Sequence, residues 1–324
     1  MSVASPPRSD AFALDMEGHR RELTGYCYRM LGAGSEAEDA VQETFLRAWR
    51  GRAGFEGRAT LRSWLYTIAT NVCLDMPRRQ QRRARPMDLV SPSTTATATL
   101  HELPEHRWVQ PIADGRVLDD GQDPADVAAQ RDTLRLAFVA ALQTLPPRQR
   151  AVLILREVLH WSAAEVAGLL DTTTASVNSA LQRARATLDT TETVRDETDL
   201  DADDEQLLAR YVDTFERYDI DALVTLLRED AVSAMPPHDL WIVGPEEIYQ
   251  WMLGPGIECK GARLLATRAN GSPAFGSYHV DPDGGWSAFS LQVLEIKDGK
   301  IVTTHNFLTP EILPEFGLPV HIDA

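Results

Sequence analysis

Five arginines crowd one short stretch, Arg78-Arg79-Gln80-Gln81-Arg82-Arg83-Ala84-Arg85, with no acid among them. Guanidinium groups grip phosphate oxygens and guanine edges through paired N–H donors, so a cluster of this kind suits nucleic acid. Just upstream, Asn71 and Asp75 stand one helical turn apart. There they can offer hydrogen bonds to an unstacked base while Arg78, Arg79, Arg82 and Arg83 hold phosphate. A second polar group, Thr174, Asn178, Ser179, Gln182 and Arg183, recurs at helical spacing, with Val177, Leu181 and Leu188 turned the other way. A third stripe, Asp39, Gln42, Glu43 and Arg47, lies opposite Val41, Phe45 and Trp49, the pattern of a helix that binds a partner beside its own core face. His238, Asp239, His279, Asp281 and His305 are candidates for acid–base work. Their neighbours are prolines and turn residues, which favours solvent-facing or structural roles.

The elements that must carry these groups follow from the apolar spacing. Leu23, Tyr26, Cys27, Met30 and Leu31, then Ala37, Val41, Phe45, Leu46 and Trp49, predict two helices separated at Gly32 to Ser35. Leu61, Trp64, Leu65, Ile68, Ala69, Val72 and Cys73 predict a third that runs into the arginine cluster, with Trp64 and Tyr66 as core. Residues 86–126, rich in Pro, Thr, Ala and Asp, read as a linker in which Trp108, Val109 and Ile112 suggest a docked segment. Helical spacing returns from Leu134 to Leu145 and stops at Pro146-Pro147. A helix over about 148–159 is expected next. Ser162 to Leu170, with a Ser162/Glu165 capping box, and Thr174 to Leu188 then form two short helices joined by Asp171-Thr172-Thr173, a helix-turn-helix. Residues 190–206 are an acidic linker. Beyond it come helices around Leu208–Tyr218 and Asp221–Leu227, then strands at 263–269, 274–280, 286–296 and 301–307, which is an α+β order.

The formal charge of −16 is unevenly spread. Residues 1–85 carry +4 and 127–189 carry +2, all of their cations being arginine, whereas 86–126, 190–206 and 207–324 carry −6, −7 and −9. Two mildly basic blocks thus alternate with acidic ones, and local fields matter more than the total. Hydrophobic residues at 44% and charged at 25% exclude a fibrous or wholly disordered chain. No apolar run approaches the roughly 20 residues of a membrane span, and the first ten residues lack the apolar core of a signal peptide, so a cytoplasmic protein is expected. Cys27, Cys73 and Cys259, odd in number and far apart, suit buried reduced thiols better than disulfides or a metal site.

Ala37 to Trp49 resembles region 2.2 of the bacterial sigma-70 factors, the helix that binds the clamp helices of the RNA polymerase β′ subunit. Leu61 to Asp75 resembles regions 2.3 and 2.4 of the extracytoplasmic-function (ECF) group, and Leu145-Pro146-Pro147-Arg148-Gln149-Arg150 through Arg185 resembles region 4. The last domain, through Trp241-Ile242-Val243-Gly244-Pro245-Glu246-Glu247-Ile248, the later strands and Asn306-Phe307, resembles SnoaL-like members of the NTF2 superfamily, a curved sheet around a cone-shaped pocket. Sigma factors of the SigG and SigJ types share that fused domain, and the resemblance is greatest to the SigG type.

The resemblance implies a multidomain chain: sigma region 2 over 12–85, a linker over 86–126, the region 4 helix-turn-helix over 127–189, an acidic linker over 190–206 and a SnoaL-like domain over 207–324. It implies two all-α domains and an α+β cone. It implies an alternative sigma factor, not an enzyme, with no metal or cofactor. Asp39, Gln42, Glu43, Leu46 and Arg47 would bind the polymerase core, which the chain meets at the β′ clamp helices and the β flap. Asn71, Asp75, Arg78, Arg79, Arg82 and Arg83 would bind the −10 promoter element, and Thr174, Asn178, Ser179, Gln182 and Arg183 the −35 element. The C-terminal domain would modulate activity, with a small ligand or an anti-sigma protein as its partner. Pro77 departs from the pattern and leaves the register of Arg78 and Arg79 open; Asn178 and Ala180 stand where Lys and Arg are common. Two other readings share parts of this evidence: a helix-turn-helix regulator with a ligand-sensing domain, and a SnoaL-like enzyme acting on a small molecule.

Overall fold

The computed structural model describes residues 8–55, 57, 59–76, 82–118, 121, 124–189 and 202–323. The chain divides into two compact units, one from residues 1–82 and 115–194, the other from residues 83–114 and 195–324.

The first unit is helical. Helices α1 (Arg8–Glu17), α2 (Arg20–Leu31), α3 (Gly34–Gly51) and α4 (Leu61–Asp75) form its first half. Gly32 closes α2 in the left-handed conformation (φ 74°), returning its N–H to the Tyr28 carbonyl. Thr60 caps α4 through its Oγ1, which accepts from the Ser63 N–H at 3.1 Å. The helix ends at Asp75 because Met76 precedes a proline and takes the extended ψ of 138° that such a position favours. Tyr26 and Tyr66, both fully buried, meet edge to face at 5.2 Å, and the Tyr26 hydroxyl bonds Thr70 Oγ1 at 2.8 Å. Cys27 of α2 and Cys73 of α4, 46 residues apart in sequence, are hydrogen-bonded here. That bond and burial both raise the Cys27 thiol, which keeps it protonated and inert.

The second half comprises α5 (Pro124–Asp132), α6 (Leu136–Gln143), α7 (Pro147–Leu153), α8 (Ala163–Leu169) and α9 (Thr174–Asp189). The helix expected over 148–159 is α7 continued by a π turn at Ile154–Val158. The two halves are tied by buried arginines. Arg29 of α2 donates to Thr133 Oγ1 at 2.6 Å, and Gln143 Nε2 donates back to the Arg29 carbonyl at 3.2 Å. Arg150 of α7 donates to the Met30 carbonyl and to Gln143 Oε1. Burial pushes both guanidinium groups down to about 10.

The second unit is an α+β domain. Helices α10 (Ala202–Glu216), α11 (Ile220–Val224) and α12 (Pro245–Leu253) accompany a seven-stranded sheet of order β2-β1-β6-β5-β4-β3, with β7 pairing β5. The strands are β1 (Leu227–Ala234), β2 (Trp241–Val243), β3 (Arg263–Ala269), β4 (Ser272–Val280), β5 (Trp286–Lys297), β6 (Lys300–Phe307) and β7 (His321–Ile322). Strands β3 to β6 fall where alternation predicts them. Strand β1 does not, because Arg228, Glu229 and Asp230 fall where its register against β6 shifts, and a bulge erases the period of two. Leu207, Tyr211, Phe215, Leu223, Ile248 and Trp251 from the helices join Phe275, Leu294 and Ile301 of the sheet in one core.

Residues 86–126, expected as a linker, are split. Residues 83–114 belong to the second unit and are bonded to it along their length, while those from 115 onward belong to the first. Among the described residues no helix is long and apolar enough to cross a membrane.

Candidate functional site

Three surfaces carry the residues singled out above, and their positions follow from helix phase. On α3, Ala37, Ala40, Val41, Thr44 and Ala48 are buried, which leaves Asp39, Gln42 and Leu46 exposed in a row and Glu43 and Arg47 half-buried beside them. Leu46 is 44% exposed, a large apolar side chain in the middle of a polar stripe. Phe45 and Trp49 are only half-buried: Arg20 lies over the Phe45 ring at 4.9 Å and Arg52 over Trp49 at 4.1 Å.

On α4, Asn71 and Asp75 are both exposed. Arg47 donates to Glu43 Oε1 at 2.7 Å and to Asp75 Oδ2 at 3.3 Å, so the α3 stripe and the end of α4 form one continuous polar surface. Tyr66 is fully buried, as expected of core, and Trp64 stacks on Phe55 at 4.9 Å. Arg78 and Arg79 lie outside the described residues. Arg82 is exposed. Arg83 is not available to phosphate: it is 4% exposed and its Nη1 donates to the carbonyls of Trp108 at 2.8 Å and Glu105 at 3.3 Å. The chain turns into the second unit at that residue, so the continuous run of arginines in sequence is divided in space.

The helix-turn-helix is α8 and α9. Ser162 Oγ accepts from the Glu165 N–H at 3.2 Å while Glu165 Oε2 accepts from the Ser162 N–H at 2.7 Å, the reciprocal capping box. These bonds hold the Glu165 carboxyl below its usual range. Thr173 Oγ1 caps α9, accepting from the Ser176 N–H at 3.2 Å. Val177, Leu181 and Ala184 are buried, Leu188 is half-buried, and Thr174, Asn178, Ser179, Gln182 and Arg183 are all exposed on the opposite face. Replacing Ser162 by Ala should cost about 1 kcal/mol of stability in the first unit. Equilibrium urea unfolding followed by the helical circular-dichroism signal measures it.

The candidate acid–base groups of the second unit are not brought together as one set. His305 is buried and paired with Glu295 at 3.2 Å, Asp281 accepts from the Ser287 hydroxyl, and Asp239 faces His101 at 3.4 Å. Among the described residues no cluster of His, Cys, Asp and Glu fits a metal ion.

Sequence reading missed the residues that seat the 83–114 segment. The Ile112 N–H donates to Asn270 Oδ1 and the Asn270 N–H to the Ile112 carbonyl, both at 3.0 Å. Asp114 accepts from the Gly271 N–H at 2.7 Å and from Arg268 Nε at 3.3 Å. Farther back, Thr95 is bonded twice to Glu247, Val90 accepts from Trp241 Nε1 at 2.9 Å, and the Leu103 N–H reaches the Pro237 carbonyl at 3.0 Å. One signal was present: Asn270-Gly271 is a two-residue hairpin turn with φ of 56° and 71° between β3 and β4.

A family model for sigma-70 region 2 matches residues 16–83, one for sigma-70 region 4 residues 135–188, and one for the SnoaL-like domain residues 208–304. The ECF RNA polymerase sigma factor SigG of Mycobacterium tuberculosis (strain ATCC 25618 / H37Rv) is 43% identical over 318 residues, 96% of this chain and 85% of that protein. This chain belongs to the ECF RNA polymerase sigma factors. A second ECF sigma factor of that strain, SigJ, is 27% identical over 313 residues, 92% of this chain and 91% of its own. The crystal structure of Mycobacterium tuberculosis SigJ shares the fold, with a TM-score of 0.59 at 22% identity over 95% of this chain and 99% of that one. As an ECF sigma factor carrying a SnoaL-like domain, the chain serves transcription initiation.

Proposed function

We propose that this sigma factor binds RNA polymerase core through the α3 face of Asp39, Gln42, Glu43, Leu46 and Arg47, meeting the β′ clamp helices there and the β flap elsewhere. Asn71 and Asp75, with Arg78, Arg79 and Arg82, then engage the −10 element. Thr174, Asn178, Ser179, Gln182 and Arg183 read the −35 element. The observation that carries this is the phase of α3, which buries its small residues and leaves the polar stripe with Leu46 at the surface. A self-contained DNA-binding regulator would have no use for that face. The chain works in the cytoplasm and performs no chemistry of its own; the separated positions of His305, Asp281 and Asp239 support this.

The C-terminal domain modulates activity by holding residues 83–114, the stretch that joins region 2 to region 4. Bonded from Val90 to Asp114, that stretch is not free to follow another path while it is seated. The domain bounds follow the same division, with region 2 ending at Arg82.

Run-off transcription with the full chain and purified polymerase core tests the reading. Initiation at promoters that core alone ignores is the expected result. Asn178→Ala should lower it roughly tenfold at promoters with a −35 element, the worth of one base contact, and leave core binding unchanged. No initiation with competent core and DNA would return the weight to the regulator or the enzyme.

A further inference from the structure

Inside the second unit lies a cavity of about 170 Å³. Tyr211, Phe215, Leu223, Leu227, Met235 and Trp251 make its walls apolar. A comparable space of about 150 Å³ between apolar side chains holds one benzene ring. The polar lining is nearly all committed. Tyr211 donates its hydroxyl to Gln292 Oε1 at 2.9 Å, and Asn306 donates to Ser233 Oγ at 3.1 Å. His279 is the exception: its Nε2 is out of contact with solvent and has no hydrogen-bond partner in the structure. A buried polar atom left unpaired is costly, and such a group in a native fold calls for a partner.

The geometry around His279 is specific. Between β4 and β5 the register passes from Ser277 opposite Ser290 to Tyr278 opposite Ala288, so Phe289 is the extra residue of a bulge. Its ring lies against the His279 imidazole with centroids 3.6 Å apart and planes 17° from parallel. Burial pushes His279 below its usual range, against the pull of the Glu258 carboxylate, so the ring is neutral near neutral pH. Cys259, also in the lining, is pushed up to about 11 by burial and by Glu258, and presents a neutral thiol. Glu258 is exposed among the lining residues, where its charge repels anions. Leu100 completes the wall. It is 59% exposed and comes from the 83–114 segment, between the bonds of Thr95 to Glu247 and of Leu103 to Pro237.

We propose that this cavity binds a small uncharged single-ring compound bearing one hydroxyl or carbonyl group, with His279 as its polar contact and Leu100 as a wall. Occupancy therefore steadies the seat of residues 83–114. The inference goes beyond the polymerase reading, and its test uses no polymerase, so the two fail separately.

Calorimetric titration of the full chain with p-cresol and with its hydrocarbon counterpart p-xylene provides the test. Both should bind at one site, p-cresol roughly three- to tenfold more tightly, the worth of one neutral hydrogen bond. In His279→Phe that preference should vanish while p-xylene still binds, which also reports a folded domain. His279→Gln, able to hydrogen-bond from the same place, should keep part of it. Hydrogen exchange at the Thr95 and Leu103 amides should slow when p-cresol is bound. Absence of saturable binding by either probe, a p-cresol preference that survives His279→Phe, or unchanged exchange at both amides would overturn the proposal.

Discussion

An Asn270→Ala chain should release the end of the 83–114 segment, with hydrogen exchange at the Ile112 amide accelerating by roughly a hundredfold. Two costs add. Asn270 is fully buried and sits at φ 56°, where asparagine is tolerated and alanine carries about 1 kcal/mol of strain. Its Oδ1 is also the acceptor for the Ile112 N–H, and losing it orphans a buried donor at about 1–3 kcal/mol. The sum of roughly 2–4 kcal/mol corresponds to a factor of about 30 to 1,000 in local opening. Asn270→Gly separates the costs, since glycine accepts the dihedral but offers no side-chain oxygen; it should recover about 1 kcal/mol. If the seat restrains the sigma factor, Asn270→Ala should raise run-off transcription at the same core concentration. Lower transcription from a folded Asn270→Ala chain would assign the seat a positive role instead.

Arg150→Ala should destabilise the first unit by about 3 kcal/mol, measured by urea unfolding followed through the helical circular-dichroism signal. The guanidinium of Arg150 serves the Met30 carbonyl, Gln143 Oε1 at 2.5 Å, the Leu145 carbonyl at 3.1 Å and the Gln143 carbonyl at 3.3 Å. No other single side chain described above binds so many acceptors, and alanine leaves them unpaired where water is scarce. Arg150→Lys keeps the charge but not the planar fork, and should recover less than half of the loss. Because Met30 ends α2 and Arg150 lies in α7, the same substitution loosens region 2 from region 4.

Much of this was legible in the chain itself, for identifiable reasons. The helices of the first unit carry their boundaries as local chemistry: Gly32, Thr60, Pro77 and the Ser162/Glu165 pair act within one turn of where they stand. The exposed faces of α3 and α9 followed from a period of 3.6. Strands β3 to β6 were visible because each alternates and is bounded by turn residues. What stayed hidden depends on distance. Arg83 reads as one more cation in a basic run, and only tertiary structure buries it against Trp108 and Glu105. Strand β1 is masked by three consecutive charges at a bulge. The docking of Trp108, Val109 and Ile112 was suggested by their apolarity, but their anchor lies 158 residues away at Asn270, beyond the reach of any local pattern.

The chain leaves its first unit at Arg82 and re-enters it at Gly115, having given the intervening residues to the second. The two units are thus interleaved along the gene, and the C-terminal domain is not a detachable appendage. During synthesis, Trp108, Val109 and Ile112 emerge on the order of ten seconds before the residues that will cover them, at the usual pace of a bacterial ribosome. The same interleaving constrains inheritance. A lineage that lost the SnoaL-like domain by a premature stop would be left with an apolar strip fitted to a missing surface, so gain or loss of that domain requires residues 83–114 to be rewritten in step.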